Sequence, residues 1–240
     1  MTLSSLASFI TSKLQDTDAA SVTACKSYIN ARYRMIWESC LWTETLGIAT
    51  KAVVAGDQTI TLDGAPSTTF YQSVVAPTTF IDFPVAVKMT ETGNDDGAEV
   101  INSDWATFFQ IDPNAWIDVT SRRAMPSGYI NLPKDGSGYC RIKPVPVPQT
   151  AGTLYVLGKL KWVELTDSDS PCLRGIDNAL LAFAEGDMLE RARQYGKAQA
   201  KFTEAAAAIA IMRDLEKGQQ ASISRIIPLE EGYDPICSPD

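Results

Sequence analysis

The stretch GTLYVLGKLKWV, residues 152–163, carries the reading that decides the fold. Leu154, Val156, Leu160 and Trp162 alternate with Tyr155, Lys159 and Lys161. A period of two is what a strand buried on one face requires. Shortly downstream, Ser170-Pro171 supplies a serine N-cap and a proline at the first helical position, where its missing N–H costs nothing. From there Ile176, Leu180, Phe183, Ala184, Met188 and Ala192 recur at helical spacing, so residues 171–195 are expected to be a helix. Gly196 or its neighbourhood breaks that run. A further helix from about Lys197 to Lys217 presents Phe202, Ala205, Ile209, Met212 and Leu215 as its buried face.

Upstream of the strand, the chain stays strand-like as far back as Thr45. Val, Ile, Thr, Tyr and Phe are punctuated there by Gly, Pro and Asp. Ala49–Val54 and Gln58–Leu62 read as a hairpin whose turn places Gly56 at positive φ. Val85, Val87 and Met89 share one face of another strand, closed by the turn-forming run Gly93-Asn94-Asp95-Asp96-Gly97. Trp116–Val119, Gly128–Leu132 and Gly138–Lys143 are further candidates, ahead of the proline-rich turn Pro144–Pro148. So many short strands point to a sandwich or barrel with its own core.

The N-terminal part is helical again, over residues 3–15 and 18–41. Leu3, Leu6, Ile10 and Leu14 mark the first helix, and Val22, Cys25, Ile29, Ile36 and Cys40 the second. Asp16-Thr17-Asp18 offers the oxygens that cap the second near Ala19. The expected architecture is α+β. Helical hairpins at 1–44 and 167–218 form one four-helix bundle, 45–166 is an inserted β-sandwich or barrel-like domain, and 219–240 is an extended C-terminal tail. Ile223, Ile226, Ile227, Leu229 and Tyr233 make that tail sticky, and it is expected to dock on another chain.

Composition excludes several function classes. The chain has no histidine, which removes every Ser-His or Cys-His nucleophile and the commonest metal ligand. Phosphate-loop, dinucleotide and nucleophile-elbow motifs are absent. The reading is of a protein that is not an enzyme and takes no cofactor or metal. Its five cysteines are scattered without a C-x-x-C, which suggests neither disulfides nor zinc. Asp95-Asp96 and Asp167-Ser168-Asp169 match no calcium loop; a hairpin turn and helix-entry capping account for them better.

With 29 acidic against 21 basic residues, a net charge of −8 and a pI near 4.7, the chain has no electrostatic grip on nucleic acid or anionic membrane. Arg32, Arg34, Arg122-Arg123, Arg191 and Arg193 are expected to pair with carboxylates on neighbouring helices or neighbouring subunits. Trp37, Trp42, Trp105, Trp116 and Trp162, with Tyr71 and Tyr129, would suit a core, an interface or, on a β-sandwich with a helical stalk, a sugar-stacking platform. The opening MTLSSLASFITSKLQD lacks the basic flank and apolar run of a signal peptide, so cytosolic synthesis is expected.

Ile29-Asn30-Ala31-Arg32-Tyr33-Arg34-Met35-Ile36-Trp37 through Leu41-Trp42 resembles the second helix of head-to-tail adaptor (connector, or neck) proteins of tailed bacteriophages. Gly128–Leu132, Lys143-Pro144-Val145-Pro146 and Leu165–Pro171 resemble the β insert of that family leading into its third helix. The resemblance implies a structural virion protein in the neck region, assembled in the bacterial cytoplasm as a ring, typically a dodecamer. It would sit beneath the portal protein, meet the tail or a second neck protein, and let double-stranded DNA pass transiently without specific binding. A C-terminal extension would engage the portal, a role that falls here on Ser222–Tyr233. A tail-completion or fibre-attachment protein is the neighbouring alternative, and a carbohydrate-binding module the alternative of another class.

Overall fold

The structure is a computed structural model that describes residues 1–63, 68–69, 80–92, 94–103, 106 and 120–224, with the side chains of 68–69, 94–96 and 218–224 left aside. It is a mixed fold of helices and strands that divides into two compact units. One comprises Met1–Ser4 and Tyr33–Leu173, the other Ser5–Arg32 and Arg174–Asp240. The division assigns the last turns of the second helix to the strand unit, whereas the sequence reading set its boundary after residue 44.

The strand unit is one sheet that curls nearly closed. Its strands are β1 (Leu46–Val53), β2 (Ile60–Thr61), β3 (Thr68–Thr69), β4 (Ile81–Glu91), β5 (Asn94–Asn102), β6 (Gly128–Leu132), β7 (Arg141–Val145) and β8 (Gly152–Leu160), in the order β2-β7-β6-β5-β4-β8-β1-β3. The expected strand at 152–163 forms over Gly152–Leu160 only, leaving Trp162 beyond its end, and is central, paired antiparallel with β1 on one edge and β4 on the other. Leu154, Val156 and Leu160 are buried while Tyr155 is exposed, as the alternation predicts. Gly158 permits the close β4 contact: a Cβ there would lie 2.7 Å from the Phe83 carbonyl oxygen and run into Ile81.

The expected hairpin 49–54/58–62 does not form. β1 pairs with β8 and β3, and β2 crosses to β7. The long-range partner wins because it buries Ala49 and Val53 beside Leu154 and Val156, more apolar surface than the short β2 offers. Gly56 does take positive φ (91°), and its N–H donates to the Pro148 carbonyl instead of closing a hairpin.

Two readings in β4 and β5 are also corrected. Val85 faces outward, 38% exposed, because the register shifts between Pro84 and Ala86. Asp95-Asp96 lies within β5 and not in a turn, since Glu91 already pairs with Asn94. β6 occupies the expected residues; β7 begins three residues later than expected and runs into the proline segment. Trp116–Val119 lies outside the described residues.

Helix α2 (Ala19–Ser39) delivers Tyr33, Ile36 and Trp37 to the strand unit, all buried. The Trp37 indole donates to the Leu160 carbonyl at 3.2 Å, and Trp42 donates to the Ile36 carbonyl at 2.8 Å. Lys159 of β8 donates to the Trp37 and Cys40 carbonyls at 2.6 and 2.8 Å, satisfying oxygens that a helix C-terminus leaves without partners. Burial holds its pKa below the ordinary lysine range. Asp169 accepts from Thr166 N and Oγ1, and the Asp169 and Asp167 carbonyls accept from Leu3 and Ser4 N–H. This acidic run therefore serves the entry of helix α1 (Leu3–Lys13) and not the third helix.

The expected helix start at Ser170-Pro171 is likewise corrected. Cys172 N donates to the Tyr33 hydroxyl and Leu173 is buried, so the segment is held non-helical. Helix α3 (Ile176–Arg191) begins only after Gly175 has turned at φ 75°.

In the helical unit, Asp18 caps α2 as expected, its Oδ1 accepting from Ser21 N at 3.0 Å. α3 and α4 (Tyr195–Ser224) form a hairpin whose break falls at Arg193, φ 60°, with Gly196 already inside α4. α4 runs past Gly218 to Ser224, where an extended tail was expected. A glycine costs about 1 kcal/mol against alanine in a helix, and the good helix formers Gln219, Gln220 and Ala221 offset it. Ala205, Ile209 and Met212 are buried, but Leu215 is exposed and Glu216 is buried in its stead. The face continues as 205-209-212-216, one residue beyond the leucine.

Gly158→Val is expected to destabilise the protein by about 2 kcal/mol or more, because backbone and Ile81 must both yield. Urea unfolding measures it, and a loss under about 0.5 kcal/mol would show the β4–β8 approach to be adjustable.

Candidate functional site

α3 carries two buried acids, Glu185 and Asp187, on nearly opposite sides of a helix that also buries Leu180, Phe183, Ala184 and Met188. Both are 9% exposed, and carboxylates taken that far from water need partners. Asp187 receives a bidentate grip from Arg32 of α2: Nε to Oδ2 at 2.8 Å and Nη2 to Oδ1 at 2.5 Å. The guanidinium lies 4.9 Å from the Phe183 ring centre and 5.3 Å from that of Phe202 on α4. Hydrogen bonding to Asp187 raises its pKa above the ordinary arginine range. Gly186 makes room for Phe202, whose Cε1 a Cβ would meet at 2.5 Å. Glu185 accepts from Lys13 of α1 at 2.8 Å, with Lys201 of α4 at 3.5 Å. Cys25 of α2 packs nearby, and burial, with the Asp187 charge, pushes its thiol up to about 11. One arginine thus ties three helices, and Glu185 brings in α1.

This node was missed in sequence. Its visible trace was Glu185-Gly186-Asp187 interrupting an apolar run. Of the arginines expected to pair, Arg32 does so within its own chain. Arg34 pairs with Glu38 at 2.8 Å on the exposed side of α2, its guanidinium 5.5 Å from the Trp162 ring. Arg191 and Arg193 are exposed where α3 gives way to α4.

Of the expected docking residues, Ile223 lies in the last helical turn of α4, so it stands in a helix and not in an extended tail. Ile226, Ile227, Leu229 and Tyr233 lie outside the described residues. Trp37, Trp42 and Tyr129 are buried and build no stacking platform; Trp105, Trp116 and Tyr71 lie outside the described residues.

Among the described residues, open apolar surface is found on α4 and on the sheet. On the outward side of α4, Ala207, Ile211 and Leu215 follow at four-residue spacing. On the sheet, Ile48, Ala86, Tyr155 and Leu157 line a shallow groove of about 460 Å³, with Lys88 and Thr90 beside them. Among the described residues no group of Cys, Asp and Glu is placed to hold a metal, and no helix is long and apolar enough to cross a membrane.

No protein-family model matches this chain, and no curated protein matches it. What the site offers is read from its own geometry: a helical unit locked by internal ion pairs, with apolar surface turned outward.

Arg32→Lys is expected to cost about 1–3 kcal/mol, since lysine keeps the charge but loses the bidentate fork and the stacking on both rings. Thermal or urea denaturation reads it, and wild-type stability in the variant would mean the node contributes charge alone.

Proposed function

We propose that the chain is a head-to-tail adaptor of a tailed-phage virion, a structural protein that forms a ring beneath the portal and lets the genome pass. The observation that carries this reading is the make-up of the helical unit. Ser5–Arg32 and Arg174–Asp240, from opposite ends of the chain, form one compact unit, and Arg32 of the first segment grips Asp187 of the second. The strand unit is thereby an insertion into a helical body, the arrangement the resemblance implies. In this reading the helices pack as a four-helix bundle and make the body of a ring, typically of twelve copies.

A net charge of −8 per copy supports the same role, because a DNA passage lined by cations would hold the genome through released counterions. The residues after Ser224, with Ile226, Ile227 and Leu229 as anchors, engage the portal, and the strand unit is available to the tail or a second neck protein.

Mixing the purified protein with portal rings and imaging the product by electron microscopy tests the proposal. A coaxial ring seated on the portal is expected, while attachment to tails alone, or to neither, would sink it. A chain ending at Ser224 should keep its helical circular dichroism yet fail to attach; attachment by that shortened chain would remove the docking role from the last residues.

A further inference from the structure

α4 is apolar on two sides. Ala205, Ile209 and Met212 face the core of the helical unit, while Ile211 and Leu215 on the other side are 62% and 63% exposed. A helix of that kind packs on both sides when its surroundings are complete. The outward face is flanked by Glu204 and Asp214, each already beside a lysine of the same helix, Lys201 at 2.6 Å and Lys217 at 3.9 Å. A second open helix face lies in the same unit. On α1, Ser5, Ser8, Phe9 and Ser12 are exposed, Phe9 to 53%, with Lys13 one turn on from Phe9 and paired with Glu185, while Leu6 and Ile10 are buried.

Charge says what can cover these faces. Copies that each carry −8 repel wherever unanswered carboxylates meet, so they approach at low cost only where the charges on both surfaces are already paired within the chain. α1 and α4 each present a surface of that kind, one with a single large ring among serines beside the paired Lys13, the other a bed of alanine, isoleucine and leucine between the paired Glu204 and Asp214.

We infer that a second copy of this chain packs on the outward face of α4, seating its own Phe9 among Ala207, Ile211 and Leu215. The two faces belong to different helices, so the contact is heterologous. A pair formed this way keeps one open face of each kind, and further copies add until the ring closes. The inference rests on the reading of the protein as a multi-copy ring and names the contact between its subunits.

The test uses the full chain and two surface variants, Phe9→Glu and Ile211→Glu, followed by sedimentation velocity over a wide range of concentration. The wild type is expected to assemble. Each variant alone should associate at least about tenfold more weakly, because a carboxylate would be buried in an apolar contact. Since both side chains are exposed, the helical circular dichroism of each variant should stay as in the wild type. An equimolar mixture of the two variants should give a pair and nothing larger, because one retains an intact α4 face and the other an intact α1 face. A wild type that stays monomeric, a variant that assembles normally, or a mixture that stays monomeric would each overturn the inference. Portal attachment is read separately: self-association without it leaves this contact standing and removes the adaptor function.

Discussion

The strand unit depends on β8 having a partner along both edges. Every residue of β8 from Gly152 to Lys159 faces a β1 residue across an antiparallel ladder, and β4 runs along its other edge. Those ladders satisfy its backbone groups without water and place Leu154, Val156 and Leu160 on one buried face. The price of two close neighbours is paid in side-chain volume at Gly158. The remaining strands extend outward from this trio, through β5, β6, β7 and β2 on one side and β3 on the other.

The helical unit is organised differently, around charge. Asp187 and Glu185 are buried among apolar side chains, and each is answered by a cation from another helix. A buried pair of this kind adds little net stability over apolar packing, because desolvating the charges offsets their attraction. What it supplies is selectivity: only one rotation of α3 brings both acids to their partners, whereas an alanine-rich helix alone would tolerate several. The two flanking phenylalanines and Gly186 sharpen that choice by fitting one ring position.

How much of this was legible in the sequence follows from the range of the forces involved. β8, β6 and the Asp18 cap were readable because alternation and capping are local, acting over a few residues. The 49–54/58–62 hairpin was misread because a turn residue such as Gly56 fixes the local bend but not the strand that wins the pairing. The helix start at Ser170 failed for a similar reason. A good N-cap and Pro171 were overridden by the Tyr33 hydroxyl and the burial of Leu173, contacts with residues remote in sequence. Leu215 and Glu216 show the limit most sharply, for helical spacing permitted either at the buried position and hydrophobicity chose the wrong one. The Arg32 node left only a weak trace, two acids in an apolar run.

Lys159 has a consequence for the order in which the chain acquires its structure. The last carbonyls of α2 are satisfied by an ammonium group from β8, far later in the chain. During synthesis the end of α2 leaves the ribosome well before that group exists, as does β1 before its partner β8. Both must wait, with the helix end fraying and the β1 edge open, until residue 160 has emerged. Unpaired strand edges in waiting chains are where aggregation begins, so the arrival of β8 closes the period of greatest hazard in folding.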